Sequence, residues 1–266
     1  MRGHVLNTTK KTMEERDAIN NTLFYDTKFN FLKQHNGIRP NKFHLFIAPT
    51  GVGKSTLTRS LIYDMLEKNK DMRIFLYITE ETIEDFETAT CRFLGGFNQF
   101  GGRLEIGVEK KELTEEGVKE DIENYVFHND YDLFIIDNIT TSKIYLGKPP
   151  NIQDEAAMWL KGLLRDTTLF VIAHTNGNEY DKSLMDESHV RGSKSITNLV
   201  EFLYILQPIR LNDSLYQFVR IIKSRNQEPL NKFFKLIYNS KERSIDRDSP
   251  RNFEEFKMLF KQRNTL

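Results

Sequence analysis

A single cysteine, Cys91, excludes an internal disulfide and a cysteine-rich zinc site, and it fits a reducing compartment. No apolar run approaches the ~18 residues of a membrane span. The opening MRGHVLNTTKK carries no apolar signal core. These absences predict a soluble, cytoplasmic protein with no membrane partner. A surplus of one charge is missing as well, because 38 Lys and Arg balance 38 Asp and Glu. A neutral chain is not a typical free-standing DNA binder, so any nucleic-acid contact must be local.

The balance hides an asymmetry. Residues 80–130 hold 14 acidic and 5 basic side chains, and residues 206–266 hold 13 basic and 7 acidic. Either these are two solvated faces, or the basic one meets a polyanion. The length, 266 residues with 39% apolar, fits one large domain. Residues 1–26 are polar, with a weak helical pattern around Met13 to Phe24, and read as an arm or linker; 27–266 read as the core.

Short apolar runs supply the strands. FHLFIA (43–48), RIFLYIT (73–79), YDLFIID (131–137) and TLFVIA (168–173) read as buried strands separated by helical segments at 55–67, 82–94, 112–127 and 152–165. Residues 97–111 read as irregular and 147–151, GKPPN, as a turn. VEFLYIL (200–206), QFVRII (217–222) and FFKLIY (233–238) follow at the close spacing of antiparallel strands. The expected class is α/β: a twisted, mostly parallel sheet flanked by helices, with antiparallel C-terminal strands.

The densest chemical signal is Ala48-Pro49-Thr50-Gly51-Val52-Gly53-Lys54-Ser55-Thr56. It follows a strand and opens a helix, the context of a phosphate-binding loop. The glycines let backbone N–H groups turn inward around phosphate oxygens, and the helix start adds its unpaired N–H groups. Lys54 is placed to reach the β- and γ-phosphates, and the Ser55 hydroxyl to ligate Mg²⁺. The expected cofactors are therefore Mg²⁺ and ATP or another NTP or dNTP. Asp137 ends its strand and is either a Mg²⁺ group or a turn residue. Glu80 and Glu81 follow a strand; a carboxylate there orients an attacking water or merely favours a helix start, a part that Glu84 and Asp85 fit better. His174, at the end of VIAH, is either a structural histidine or a γ-phosphate sensor.

The order of these motifs resembles the RecA-type ATPase core of DnaB-like replicative helicases, most of all the phage and mitochondrial primase-helicases. The resemblance runs from about Thr27 to Tyr238. Its more specific features are YITEETIEDF (77–86), VIAHTN (171–176), HVRGSKSITNLVEFLYIL (189–206), and IIKSRNQ (221–227) followed by KLIYN (235–239). It implies Glu80 as the catalytic carboxylate and His174 as the sensor. It implies Arg225 as an arginine finger reaching a neighbouring subunit's nucleotide, Lys223 as its companion, and Tyr238 as the residue stacking on the base. Arg191, Gly192, Ser193 and Lys194, with Lys182 and more weakly Lys143, become candidates for contact with single-stranded DNA, although each basic residue alone also reads as a solvated loop charge. The implied partners are further copies of the chain in a ring of six, single-stranded DNA, and a separate primase, polymerase or loader. The implied activity is that of an NTP-driven 5′-to-3′ DNA helicase. A RecA-, RadA- or KaiC-like ATPase and a nucleotide-switched accessory protein are the alternatives. A phage-encoded chain would work in the host cytoplasm. The stretch between Gly95 and Tyr131 is shorter than in fuller relatives, so a peripheral strand and helix are expected to be missing or rearranged.

Overall fold

A computed structural model describes residues 24–34, 37–94, 98–165, 167–176, 184–211, 214–225 and 233–263. Nine strands form one sheet among the described residues. In chain order the elements are α1 (Asn30–Lys33), β1 (Phe43–Ala48), α2 (Lys54–Lys68), β2 (Ile74–Ile78), α3 (Ile83–Leu94), β3 (Leu104–Val108), α4 (Glu115–His128), β4 (Leu133–Asp137), α5 (Pro150–Gly162), β5 (Thr168–His174), α6 (Ser195–Leu199), β6 (Phe202–Leu211), β7 (Ser214–Ser224), β8 (Phe233–Asn239), β9 (Ser244–Arg251) and α7 (Phe253–Arg263).

The strand order is β3-β2-β4-β5-β1-β6-β7-β8-β9. Strands β3 through β6 run parallel, and β7, β8 and β9 add on antiparallel. Every residue of β1 is buried, as expected for a parallel strand covered on both faces. Alternate residues face opposite ways. Phe46, Leu76, Ile135 and Ile172 pack with Leu57, Leu61 and Met65 of α2, whereas Leu45, Tyr77, Ile136 and Val171 pack with Ile122 of α4 and Leu160 of α5. The helix after β1 therefore covers one face and the two around β4 cover the other. A third cluster, Ile209, Phe218, Phe233 and Phe256, seats α7 on the antiparallel strands.

Four elements depart from the sequence reading. The irregular stretch 97–111 contains β3, paired parallel to β2. It is an edge strand in which Gly107 alone is buried, so it shows no apolar run. The expected turn at 147–151 already contains the start of α5, with Pro150 in its first turn, a position where a missing N–H costs nothing. Strand β9 and helix α7 follow beyond the last expected strand. SIDRDSPR is polar and holds Pro250, which a sheet tolerates on an outer strand. Of the expected arm, Tyr25 and Asp26 are tied to the core: the Tyr25 hydroxyl donates to Asp132 at 2.6 Å, and Asp26 N–H donates to Asn69 at 2.9 Å. Residues 1–23 lie outside the described residues. No helix among the described residues is long and apolar enough to cross a membrane.

Candidate functional site

The site is assembled where parallel strands end. The chain moves from β1 to β2 on one side of the sheet, then passes from β5 to β6 across β1, so the carboxyl ends of β1 and β5 border a reversal of strand order. Ala48, Asp137 and His174 are the last residues of β1, β4 and β5, and Glu80 lies two residues past β2. Four separate segments thus deliver side chains to one spot.

The glycine-rich loop owes its shape to two residues with positive φ, Gly51 at 75° and Gly53 at 86°. Gly53 is the N-cap of α2, and no side chain caps that helix start. Its first N–H groups and positive dipole end therefore face outward, the arrangement that attracts an anion. Gln217 of β7 supports the loop from behind, its amide donating to the Val52 carbonyl. The φ of 86° at Gly53 favours glycine, and a Cβ there would also push against that amide nitrogen at 2.8 Å.

Lys54 is 7% exposed, and its ammonium lies 3.0 Å from Asp137 Oδ1 and 3.6 Å from Glu80 Oε2. On the far side of Glu80, His174 Nε2 approaches Oε1 at 3.0 Å. With Nε2–H donating to the carboxylate, Nδ1 is left to accept from the Thr50 hydroxyl at 3.3 Å. This hydrogen bond from His174 pulls the Glu80 carboxyl down to about 2, against the opposing effect of burial, with help from the Lys54 charge and the Asn138 amide. Glu80 is therefore an ionised acceptor at any ordinary pH. Ser55, Glu80, Glu81 and Asp137 line one small cleft with Leu76, Ile78 and Phe86.

That cleft offers a hydroxyl and carboxylate oxygens, the donor type a hard divalent cation takes. Among the described residues no group of three or more His, Cys, Asp or Glu is arranged to hold a metal by itself. Mg²⁺ that arrives with a triphosphate needs only one or two protein oxygens, since phosphates and waters complete its shell. Ser55 and Asp137 fit that smaller demand.

Tyr238 lies beside the loop. It is 52% exposed and, with Gly51, Val52, Gly53, Thr56, Leu215, Gln217 and Ile245, lines an open cleft of about 300 Å³. Lys223 and Arg225 lie at the other end of the sheet. Ser224 and Lys223 pair with Phe202 and Leu203 at the start of β6, next to His44 at the start of β1. Burial and the neighbouring Arg225 lower the Lys223 ammonium, which donates to the carbonyls of Thr197 and Asn198 at 2.8 and 3.0 Å. Arg225 donates to the Asn198 carbonyl at 2.9 Å and keeps 46% of its side chain exposed. Neither residue joins the Lys54 group of its own chain.

Residues 191–194 adjoin the carboxyl end of β5. Arg191 N–H donates to the His174 carbonyl at 2.8 Å, and Thr175 bridges to Val190. Arg191 and Lys194 are exposed. Ser193 is committed internally: its N–H donates to Gln153 at 2.6 Å and its hydroxyl to Asp154. Lys143 is likewise occupied, donating to the Lys110 and Leu113 carbonyls at 3.0 and 2.8 Å. Lys182 lies outside the described residues.

Sequence reasoning missed Asn138 and Gln217. Asn138 is fully buried, accepts from the Thr140 hydroxyl at 2.5 Å, and places its amide nitrogen 3.1 Å from His174 Nε2. Its position directly after Asp137 was the one available signal. Gln217 carried none, because only the hairpin pairing of β6 with β7 brings it to the loop. Compared with known proteins, the chain matches no protein-family model and no curated protein sequence.

Proposed function

We propose that the chain is a RecA-like, NTP-driven DNA helicase subunit that works in a ring of identical copies on single-stranded DNA. The observation that carries this reading is the division of charged groups between the two ends of one sheet. Lys54, Asp137, Glu80 and His174 converge at one end, and Lys223 and the half-exposed Arg225 lie at the other. A second copy placed head to tail would bring its basic pair to the first copy's site, a heterologous contact that closes into a ring when the rotation permits.

In this reading the loop amides and Lys54 hold the triphosphate, and Ser55 with Asp137 hold Mg²⁺, which neutralises phosphate charge. Glu80, ionised and hydrogen-bonded by His174, orients a water in line with the γ-phosphate and accepts its proton. Tyr238 stacks on the base. The neighbour's Arg225 stabilises the developing charge, a contribution worth about 10³–10⁵ in rate when a finger acts in trans. The His174 backbone carbonyl accepts from Arg191 N–H, which ties the end of β5 to the exposed 191–194 segment. Arg191 and Lys194 are the better DNA candidates, because Ser193 and Lys143 are occupied within the chain.

The test is ATP hydrolysis with and without single-stranded DNA, run beside unwinding of a forked duplex. DNA-stimulated hydrolysis with unwinding is expected. Hydrolysis without unwinding would move the assignment to a RecA-, RadA- or KaiC-like ATPase, and nucleotide binding without hydrolysis to an accessory switch protein.

A further inference from the structure

Arg59 stands one helical turn beyond Ser55 on α2, and Glu81 follows Glu80 in the turn after β2. One guanidinium nitrogen of Arg59, Nη2, lies 3.2 Å from Glu81 Oε2 and 3.4 Å from Oε1. The same guanidinium lies 5.1 Å from the ring centre of Phe86, a buried residue in the first turn of α3. Arg59 is 15% exposed and Glu81 30%. The Arg59 Nε is buried without a hydrogen-bond partner among the described residues, so the pair is bought at some desolvation cost. One cation therefore joins three elements: the helix that follows the glycine-rich loop, the turn that carries Glu80, and the helix after it.

The turn has fixed points on either side of the two glutamates. Thr79 N–H donates to the Asp137 carbonyl at 3.0 Å and its hydroxyl to the Asn138 carbonyl at 2.9 Å, while the Thr82 hydroxyl accepts from Asp85 N–H at 3.1 Å. Between those points Glu81 is drawn to Arg59, and Glu80 is directed to Lys54 and His174. Both glutamates line the same cleft, yet only Glu80 touches Lys54 and His174.

We propose that Arg59 is a positioning residue: by gripping Glu81 it fixes the turn on which Glu80 is carried, and so sets the distance from the Glu80 carboxylate to the phosphate-facing lysine. This rests on the hydrolase reading above. Arg59 touches no reacting atom, and its effect belongs in turnover rather than in nucleotide affinity.

The experiment uses the full chain with Arg59→Ala, Arg59→Lys, Glu81→Gln and the Arg59→Ala/Glu81→Gln double variant. Two readouts are taken: kcat and KM for ATP with single-stranded DNA present, and the His174 ring resonance in histidine-labelled, nucleotide-free protein, assigned by its loss in His174→Gln. Arg59→Ala is expected to lower kcat about 10- to 100-fold, the cost of misplacing a reacting group by a fraction of an ångström to an ångström, with KM changed less than about twofold. Arg59→Lys should recover part of the loss, and the double variant should be no slower than the slower single. The His174 resonance should move in Arg59→Ala in the direction it moves in Glu80→Gln. Wild-type kcat with an unmoved resonance overturns the proposal. So does a loss of kcat accompanied by an equal rise in KM and a lowered melting temperature, which would make Arg59 a residue of the fold alone. Should the unaltered chain show no hydrolysis, the hydrolase reading fails and the resonance decides the positioning claim: moved supports it, unmoved overturns it.

Discussion

His174 and Glu80 meet at 3.0 Å although β5 and β2, the strands that carry them, are separated in the sheet by β4. The contact spans the end of that intervening strand, where Asp137 and Asn138 lie, and Lys54 approaches from the helix after β1.

Glu80→Gln keeps the shape and removes the proposed proton acceptor. ATP hydrolysis should fall by about 10²–10⁴, while nucleotide affinity, proposed to be set by the loop, should change only a few-fold. Rates and a fluorescent-nucleotide titration on the same preparation check both halves. Equal losses in affinity and rate would count against a role confined to turnover.

The pH dependence of stability follows from the same residue. The folded Glu80 titrates at about 2, below its ordinary value of 4.5. The sign is that of a depressed acid: the unfolded chain binds the proton more readily. Its stabilising contribution is whole above pH ~4.5 and is lost as pH falls through about 2. The stability difference between the unaltered chain and Glu80→Gln should shrink as pH falls from 4.5 towards 2. Because Glu80 is 40% exposed, the difference should be modest. Urea denaturation across that range measures it.

Gly192 has φ of 101°, and a Cβ there would meet Tyr145 Cε1 at 2.4 Å and Gln153 Oε1 at 2.8 Å. Gly192→Ala should cost about 1–3 kcal/mol from strained backbone and overpacking. The denaturation midpoint should drop with the slope unchanged. A neutral substitution would mean that the 190–194 segment relaxes away from Tyr145.

Tyr238→Ala should weaken ATP binding by about 2- to 10-fold, the worth of one aromatic stack of ~0.5–1.5 kcal/mol, and leave kcat near its starting value. A titration of ATP against the variant gives the answer. An unchanged affinity would place the base elsewhere than in the Tyr238–Leu215 cleft.

Much of this arrangement was legible in the sequence because the relevant residues sit where buried runs stop. FHLFIA, LFIID and TLFVIAH are apolar on both faces, so their ends were visible, and with them Lys54, Asp137 and His174. Strand β3 was hidden because an edge strand leaves most of its residues only half-buried, and β9 because alternating charges and Pro250 carry no apolar period. The support given by Gln217, Asn138 and Arg59 was hidden for another reason. Their partners lie 165, 36 and 22 residues away, and such pairings follow from strand order rather than from any local pattern. Strand order also placed Lys223 and Arg225 at the end of the sheet away from the loop, which no spacing along the chain conveys.

The composite site is tested most directly by mixing two defective chains. Lys54→Ala removes the lysine of a chain's own site, and Arg225→Ala removes the group it is proposed to lend to its neighbour. Each alone should hydrolyse ATP at least about 10³-fold more slowly than the unaltered chain. Mixed before assembly, some interfaces combine an intact Lys54 from one copy with an intact Arg225 from the next. DNA-stimulated hydrolysis should return in the mixture. Full activity in Arg225→Ala alone, or no recovery in mixed rings shown by mass to contain both chains, would contradict a site completed by the neighbouring copy.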